Sequence, residues 1–202
     1  MSTEPAPDKQ SRILDAAATV FADVGFHAAR VQDIAEQAGV AKGTIYLYFE
    51  TKEEILLSVF QRYFDSLLDL IDGFQDKRMS AEQIIDSLVQ QQVRSAIVNP
   101  KILQVLGRRP LAAETAGGAK IQAYHRHVLD RLSGTLAEGI RTGQVRPINP
   151  RIGANILYSI ILSIPQYLVL YPEDGLERSF SKLVEEVACF AWAGIRREDA
   201  QP

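Results

Sequence analysis

Residues 31–52, VQDIAEQAGVAKGTIYLYFETK, carry the pattern on which the fold turns. Ile34 and Ala35 share one face of a first short helix, and Ile45 faces back toward them from a second. The small side chain of Ala35 lets two helix backbones approach closely. Gly39 follows Ala38 where the chain must reverse sharply, a place that favours a residue able to adopt positive φ. The reading is helix, three-residue turn, helix. Ala41, Lys42, Gly43, Thr44, Tyr46, Leu47 and Tyr48 are then left on the outside of the second helix, available to a partner.

The flanking sequence is helical almost throughout, and alternating strand patterns are absent. Upstream, Ile13, Leu14, Ala17, Ala18 and Phe21 form one stripe ending at Gly25. Downstream, Thr51 is an N-cap with Glu53 and Glu54 in the first turn. It opens a long helix whose stripe runs Ile55, Leu56, Val59, Phe60, Tyr63, Phe64, Leu67, Leu68 and Ile71, with Gly73 expected to close it. Ser80 and Gln83 form a capping-box start for a helix carrying Ile84, Leu88, Gln92 and Ala96, broken at Asn99-Pro100. A short helix follows from Lys101 toward Arg109-Pro110. Thr115 to Gly118 reads as a flexible loop before a helix reaching about Arg141. Gly143 and Pro147 precede an apolar helix from about Pro150. After a turn at 171–175, a last helix is expected from about Leu176 to Arg196.

The fold class is therefore all-α. A three-helix unit over 9–52 precedes a larger bundle over 53–202, and the helix at about 51–72 joins them. In 202 residues, 47% are hydrophobic and 23% charged, enough apolar content for a sizeable core. The formal net charge of −3 argues against non-specific polyanion binding by the chain as a whole. A DNA reader in this chain must work through a few placed groups. The start, MSTEPAPDKQ, has no apolar stretch of the secretory kind, and the most hydrophobic run, 152–170, is interrupted by Asn155, Ser159, Ser163, Pro165 and Gln166. No membrane partner is expected, and a cytoplasmic setting fits. The single cysteine, Cys189, rules out an internal disulfide and reads as a buried thiol in an apolar helix.

A DNA major groove about 12 Å wide admits one helix, and side chains near its N-terminal half read the base edges. Lys42 and Thr44 are the candidate readers. Gly43 lets the backbone approach the groove floor, and Tyr46 and Tyr48 carry hydroxyls suited to phosphates. Lys52, at the start of the long helix, is a further candidate phosphate contact, and Arg30, Gln32 and Arg12 can clamp the flanks.

Gly25-Phe26, Asp33-Ile34-Ala35, Ala38-Gly39-Val40, Lys42-Gly43-Thr44-Ile45-Tyr46, Tyr48-Phe49 and Lys52-Glu53 together resemble the N-terminal signature of the tetracycline-repressor (TetR) family of bacterial regulators. The resemblance spans roughly Ser11 to Leu57. It implies a homodimer on a palindromic double-stranded operator, usually repressing transcription until a small molecule binds the C-terminal bundle. Position by position it places Lys42, Thr44, Tyr46, Tyr48 and Lys52 at DNA. The chain departs from the pattern at Ala29-Arg30, where the family's usual hydroxyl cap is missing, at Ala41, commonly Ser, and at Tyr48, often His.

The bundle is left to supply dimerisation and sensing. The last two helices are apolar on more than one face, along Ile156, Ile160, Ile164 and Leu168 and along Leu183, Val187, Phe190 and Ile195. Such helices must be covered on both sides, which a four-helix interface between protomers would do. Phe64, Gln92, Tyr124, His125, Tyr158 and Gln166 are polar or aromatic on otherwise inward stripes of four helices, and are the candidate lining of an effector pocket. His125 and His127 are two apart and cannot ligate one metal together; no metal or cofactor is expected. Gly117-Gly118 lacks the Lys-Ser/Thr of a phosphate-binding loop. The histidines and carboxylates form no catalytic constellation, so an enzyme is not expected. The expected activity is that of a DNA-binding transcriptional regulator, a repressor released by a small apolar effector. The competing reading is a helical DNA-binding protein without such a switch, controlled by a protein partner or organising the chromosome.

Overall fold

A computed structural model describes residues 8–76, 79–98, 100–107, 111, 115–171 and 180–197. Nine helices lie among these: α1 (Lys9–Val24), α2 (Val31–Ala38), α3 (Lys42–Ile45), α4 (Lys52–Asp76), α5 (Ala81–Val98), α6 (Pro100–Gly107), α7 (Ala116–Arg141), α8 (Pro150–Leu170) and α9 (Phe180–Ala193). The only strand-like pairing in the described residues is an isolated bridge between Val145 and Arg196.

The small unit closes as its apolar spacing requires. Ile13, Ala17 and Phe21 of α1, Ile34 and Ala35 of α2 and Ile45 of α3 are all essentially inaccessible to solvent. Gly39 adopts φ +64° at the end of α2, and its N–H donates to Ala35 and Glu36 carbonyls. The long helix α4 starts from Thr51, whose Oγ1 accepts from the Glu54 N–H at 3.0 Å, while the Glu54 carboxylate accepts from the Glu50 N–H. It runs through Gly73 to Asp76 rather than closing there. One glycine costs a helix only about 1 kcal/mol, less than the packing of α4 on α7 returns.

In the bundle, α4 packs on α7, α7 on α8, and α5 lies against α8 and α9. Ser80 and Gln83 make the expected reciprocal cap at α5, with Gln83 N–H donating to Ser80 Oγ and Ser80 N–H to Gln83 Oε1. Ile84, Leu88, Gln92 and Ala96 are all buried. Gly117 and Gly118 lie in the first turn of α7, not in a loop. Thr115 caps that turn by accepting the Gly118 N–H at 3.0 Å.

Three expectations at the C-terminal end are corrected. The last helix stops at Ala193, because the chain beyond it pairs with the α7–α8 loop: Arg146 N–H donates to Ile195 O, and Arg197 N–H to Gln144 O. The expected start near Leu176 lies outside the described residues. Cys189 is exposed, not buried. The inward stripe of α9 is Leu183, Val184, Val187, Ala188 and Ala191, which turns Cys189 and Phe190 outward. For the same reason Leu183, Val187 and Ile195 belong to the protomer's own core. Among the described side chains of α8 and α9, the large apolar ones left bare are Ile152, Ile156 and Phe190. Ile160 is half-buried, and the side chains of Ile164 and Leu168 lie outside the described set. No helix among the described residues is long and apolar enough to cross a membrane.

Candidate nucleic-acid interface and effector site

The short α3 presents Ala41, Lys42 and Gly43 to solvent, with Thr44 half-buried behind them. Tyr46, Leu47 and Tyr48 continue the same edge in a turn. Leu47 is the barest large apolar side chain of the described residues at 81% exposure, and Tyr46 and Tyr48 are also exposed. Lys42 makes no ion pair among the described residues and a Cβ on Gly43 would meet nothing, so this edge is free to approach a groove.

The candidate flank groups sit differently. Arg30 pairs with Asp33 at 2.6 Å, and its own N–H donates to the Asp33 carboxylate at 3.1 Å. Asp33 thereby accepts from the N–H of the N-cap residue, a different donor from the first-turn N–H that the absent hydroxyl would take. The hydrogen bond from Arg30 holds the Asp33 carboxyl below its ordinary pKa. This interaction is in place at neutral pH and is lost as the pH falls through that lowered value. Gln32 donates to Glu36 along the outside of α2. Arg12 turns inward: its Nη2 donates to Ala38 O at 2.6 Å and ties α1 to the end of α2 beside Gly39.

Lys52, expected as a phosphate contact, is engaged within the protein. Its Nζ donates to Ala29 O at 2.8 Å and His27 O at 3.1 Å, and lies 4.8 Å from the Phe26 ring centroid. The ammonium binds the α1–α2 loop to the first turn of α4, so it braces the reading unit from within.

Five of the six candidate pocket residues come together midway along the bundle. Phe64 stacks on Tyr124 with centroids 5.6 Å apart and meets His125 edge-on at 4.9 Å. His125 meets Tyr158 edge-on at 5.7 Å. Gln92, 3% exposed, accepts a hydrogen bond from the Tyr63 hydroxyl at 2.8 Å, and Tyr63 packs edge-on against Phe64. The side chain of Gln166 lies outside the described set. Sequence reading missed Tyr63, although a buried Gln92 on an apolar stripe already required a polar partner. Burial pushes the Tyr63 and Tyr158 phenols well above their ordinary pKa, and the closeness of the two phenols adds to the rise at Tyr158. Both stay neutral at physiological pH. Two surface grooves, about 850 Å³ beside the ends of α5 and α7 and about 700 Å³ between α5 and α9, are lined by other residues.

The bundle also touches the reading unit directly. Glu53, in the first turn of α4, reaches Gly117 at the start of α7, where an added Cβ would fall 2.2 Å from Glu53 Oε1 and 2.6 Å from Leu111 Cδ1. Lys101 of α6 pairs with Asp23 of α1, and Arg62 of α4 pairs with Asp15 of α1 at 2.5 Å.

Residues 13–59 match the family described as bacterial regulatory proteins, tetR family. Over 155 residues the chain is 31% identical to the fatty acid metabolism regulator protein of Bacillus subtilis (strain 168), covering 76% of this chain and 79% of that protein. Among solved structures, the fatty acid degradation regulator FadR from Bacillus halodurans superposes with a TM-score of 0.80 at 28% identity, over 92% of this chain and 99% of that one. FadR from Bacillus subtilis, solved in complex with stearoyl-CoA, superposes with a TM-score of 0.79 at 26% identity and the same coverage. The helix-turn-helix with its bare reading edge, set on a helical bundle and matched to these relatives along most of its length, places the chain in the TetR family of DNA-binding transcriptional regulators.

Proposed function

We propose that this regulator is a cytoplasmic homodimer that holds a palindromic operator and releases it when an acyl thioester enters the bundle. The observation that carries the reading is the aromatic and polar cluster of Phe64, Gln92, Tyr124, His125 and Tyr158 against the middle of α4. The same helix begins six residues or so after α3. A molecule lodged against Phe64 acts on the helix that aims Lys42 and Thr44. The acyl-thioester class is supported by the stearoyl-CoA complex of the Bacillus subtilis relative. Gln166 of α8 remains a candidate for the same chamber.

Dimerisation falls to the outer faces of α8 and α9, where Ile152, Ile156 and Phe190 are 55–71% exposed. Apolar side chains of this size suit the core of a homodimer interface. Two reading edges then engage major grooves about 34–36 Å apart, and a shift of a few ångströms in each α4 spoils their joint insertion. At the DNA, Lys42, Gly43 and Thr44 face the bases, Leu47 suits a thymine methyl, and Tyr46, Tyr48, Ala41, Arg30 and Gln32 border the backbone.

Selection from a random DNA pool should return an inverted repeat, and Thr44→Ala should select a different consensus at the positions it reads. Recovery of the wild-type consensus by that variant would remove Thr44 as a reader. Acyl-CoAs of 8 to 18 carbons, titrated against the selected operator complex, should release DNA in a chain-length-dependent manner. Failure of every chain length to release DNA would exclude this effector class.

A further inference from the structure

Tyr158 projects from the middle of α8 into the cluster, is 8% exposed, and its hydroxyl has no hydrogen-bond partner among the described residues. Phe would fill the same space without the cost of burying an unpaired hydroxyl. Tyr63, the neighbouring phenol, already donates to Gln92. The phenol is neutral at physiological pH and so offers a proton to an acceptor. The remaining cluster side chains are Phe64, Gln92, Tyr124 and His125, and none of them is a Lys or Arg that would hold an anionic group against the hydroxyl. Beyond the cluster, away from the reading unit, Ile71, Leu88, Val128 and Leu132 are packed to 4% exposure or less. Those packed apolar side chains offer the hydroxyl no partner.

We infer that Tyr158 donates a hydrogen bond to the carbonyl oxygen of the bound acyl thioester, so that the regulator reads the thioester group as well as the length of the chain. This rests on the acyl-thioester reading of the effector site. A saturated acyl chain carries no acceptor of its own, and the carbonyl is the one neutral oxygen attached to it. A site with a buried donor discriminates against a ligand lacking the matching acceptor, because the donor is then left unpaired.

The test compares hexadecanoyl-CoA with S-hexadecyl-CoA, a thioether that lacks only the carbonyl oxygen, by calorimetric titration of the full chain and of Tyr158→Phe. The wild type should bind the thioester on the order of ten-fold more tightly than the thioether. In Tyr158→Phe that preference should vanish, through loss of thioester affinity with thioether affinity unchanged. Persistence of the preference in the variant would overturn the inference, as would equal binding of both compounds by the wild type. Equal binding would leave acyl-CoA as the effector, whereas binding of neither compound would overturn that reading and this one together. Thermal melting of the ligand-free proteins is the second measurement. Tyr158→Phe should melt at or above the wild-type temperature. A fall of several degrees would show that the hydroxyl is already satisfied inside the protein, for instance by a buried water, and would also overturn the inference.

Discussion

Lys52→Met is expected to unfold at a lower temperature and to bind the operator more weakly, with no change in the salt dependence of what binding remains. The Lys52 ammonium donates to two backbone carbonyls and lies over the Phe26 ring, and Met keeps the apolar stem while removing all three interactions. Hydrogen bonds from a charged group contribute about 1.5–3 kcal/mol each when made, and exposure of this site places the combined loss near the lower end, about 2 kcal/mol. For a chain of this size that lowers Tm by about 4–8 °C. Lys42→Ala should behave in the opposite way. The Lys42 side chain is exposed and unpaired among the described residues, so Tm should stay within about a degree. Its operator affinity should fall about ten-fold or more, and the slope of log K against log salt should decrease by about two for the dimer, about one for each Lys42 lost. Paired melting curves and salt titrations separate the two roles. If Lys52→Met kept its melting temperature and flattened the salt slope, Lys52 would be a phosphate contact after all.

Gly117→Val should lower Tm by about 5 °C and disturb operator binding, although Gly117 lies outside the reading unit. The physical cause is the close approach of α7 to the first turn of α4. A Cβ at Gly117 would sit 2.2 Å from Glu53 Oε1 and 2.6 Å from Leu111 Cδ1, and a branched side chain cannot be accommodated by moving one of them. Gly134, in the same helix, has nothing within 4 Å of the corresponding position. Gly134→Ala should therefore stabilise by roughly 1 kcal/mol, the ordinary gain for Gly to Ala in a helix. Gly117→Ala should show none of that gain, because the propensity term is cancelled by the contact. Glu53→Ala should restore part of it by clearing the nearer obstacle, and the remainder belongs to Leu111. A Gly117→Val protein that melted like the wild type would show that α7 does not press on α4 here.

The candidate effector site was legible in part. Gln92 on the stripe of Ile84, Leu88 and Ala96 identified itself because an amide at a core position must find a partner. Phe64, Tyr124, His125 and Tyr158 were marked by being aromatic or polar on inward faces. Their mutual arrangement was not legible, since it depends on how four helices, far apart along the chain, rotate about their axes. Tyr63 went unrecognised for that reason: on the α4 stripe it looks like any other aromatic until α5 brings Gln92 to its hydroxyl.

The reading unit and the all-α architecture were determined by sequence alone, because both rest on local physics. Periodicity of 3.6, a glycine at a positive-φ turn and caps at Thr51 and Ser80 act within a few residues of one another. What the tertiary structure decided was where long polar side chains end. Lys52 and Arg12 stand at positions from which either a phosphate or an internal carbonyl is within reach. Only the folding of the α1–α2 loop and the end of α2 beside them turned both inward. The outward turn of Cys189 and the meeting of Glu53 with Gly117 are decided at the same level. Each depends on contacts between segments distant in the chain, and local propensity carries no information about those.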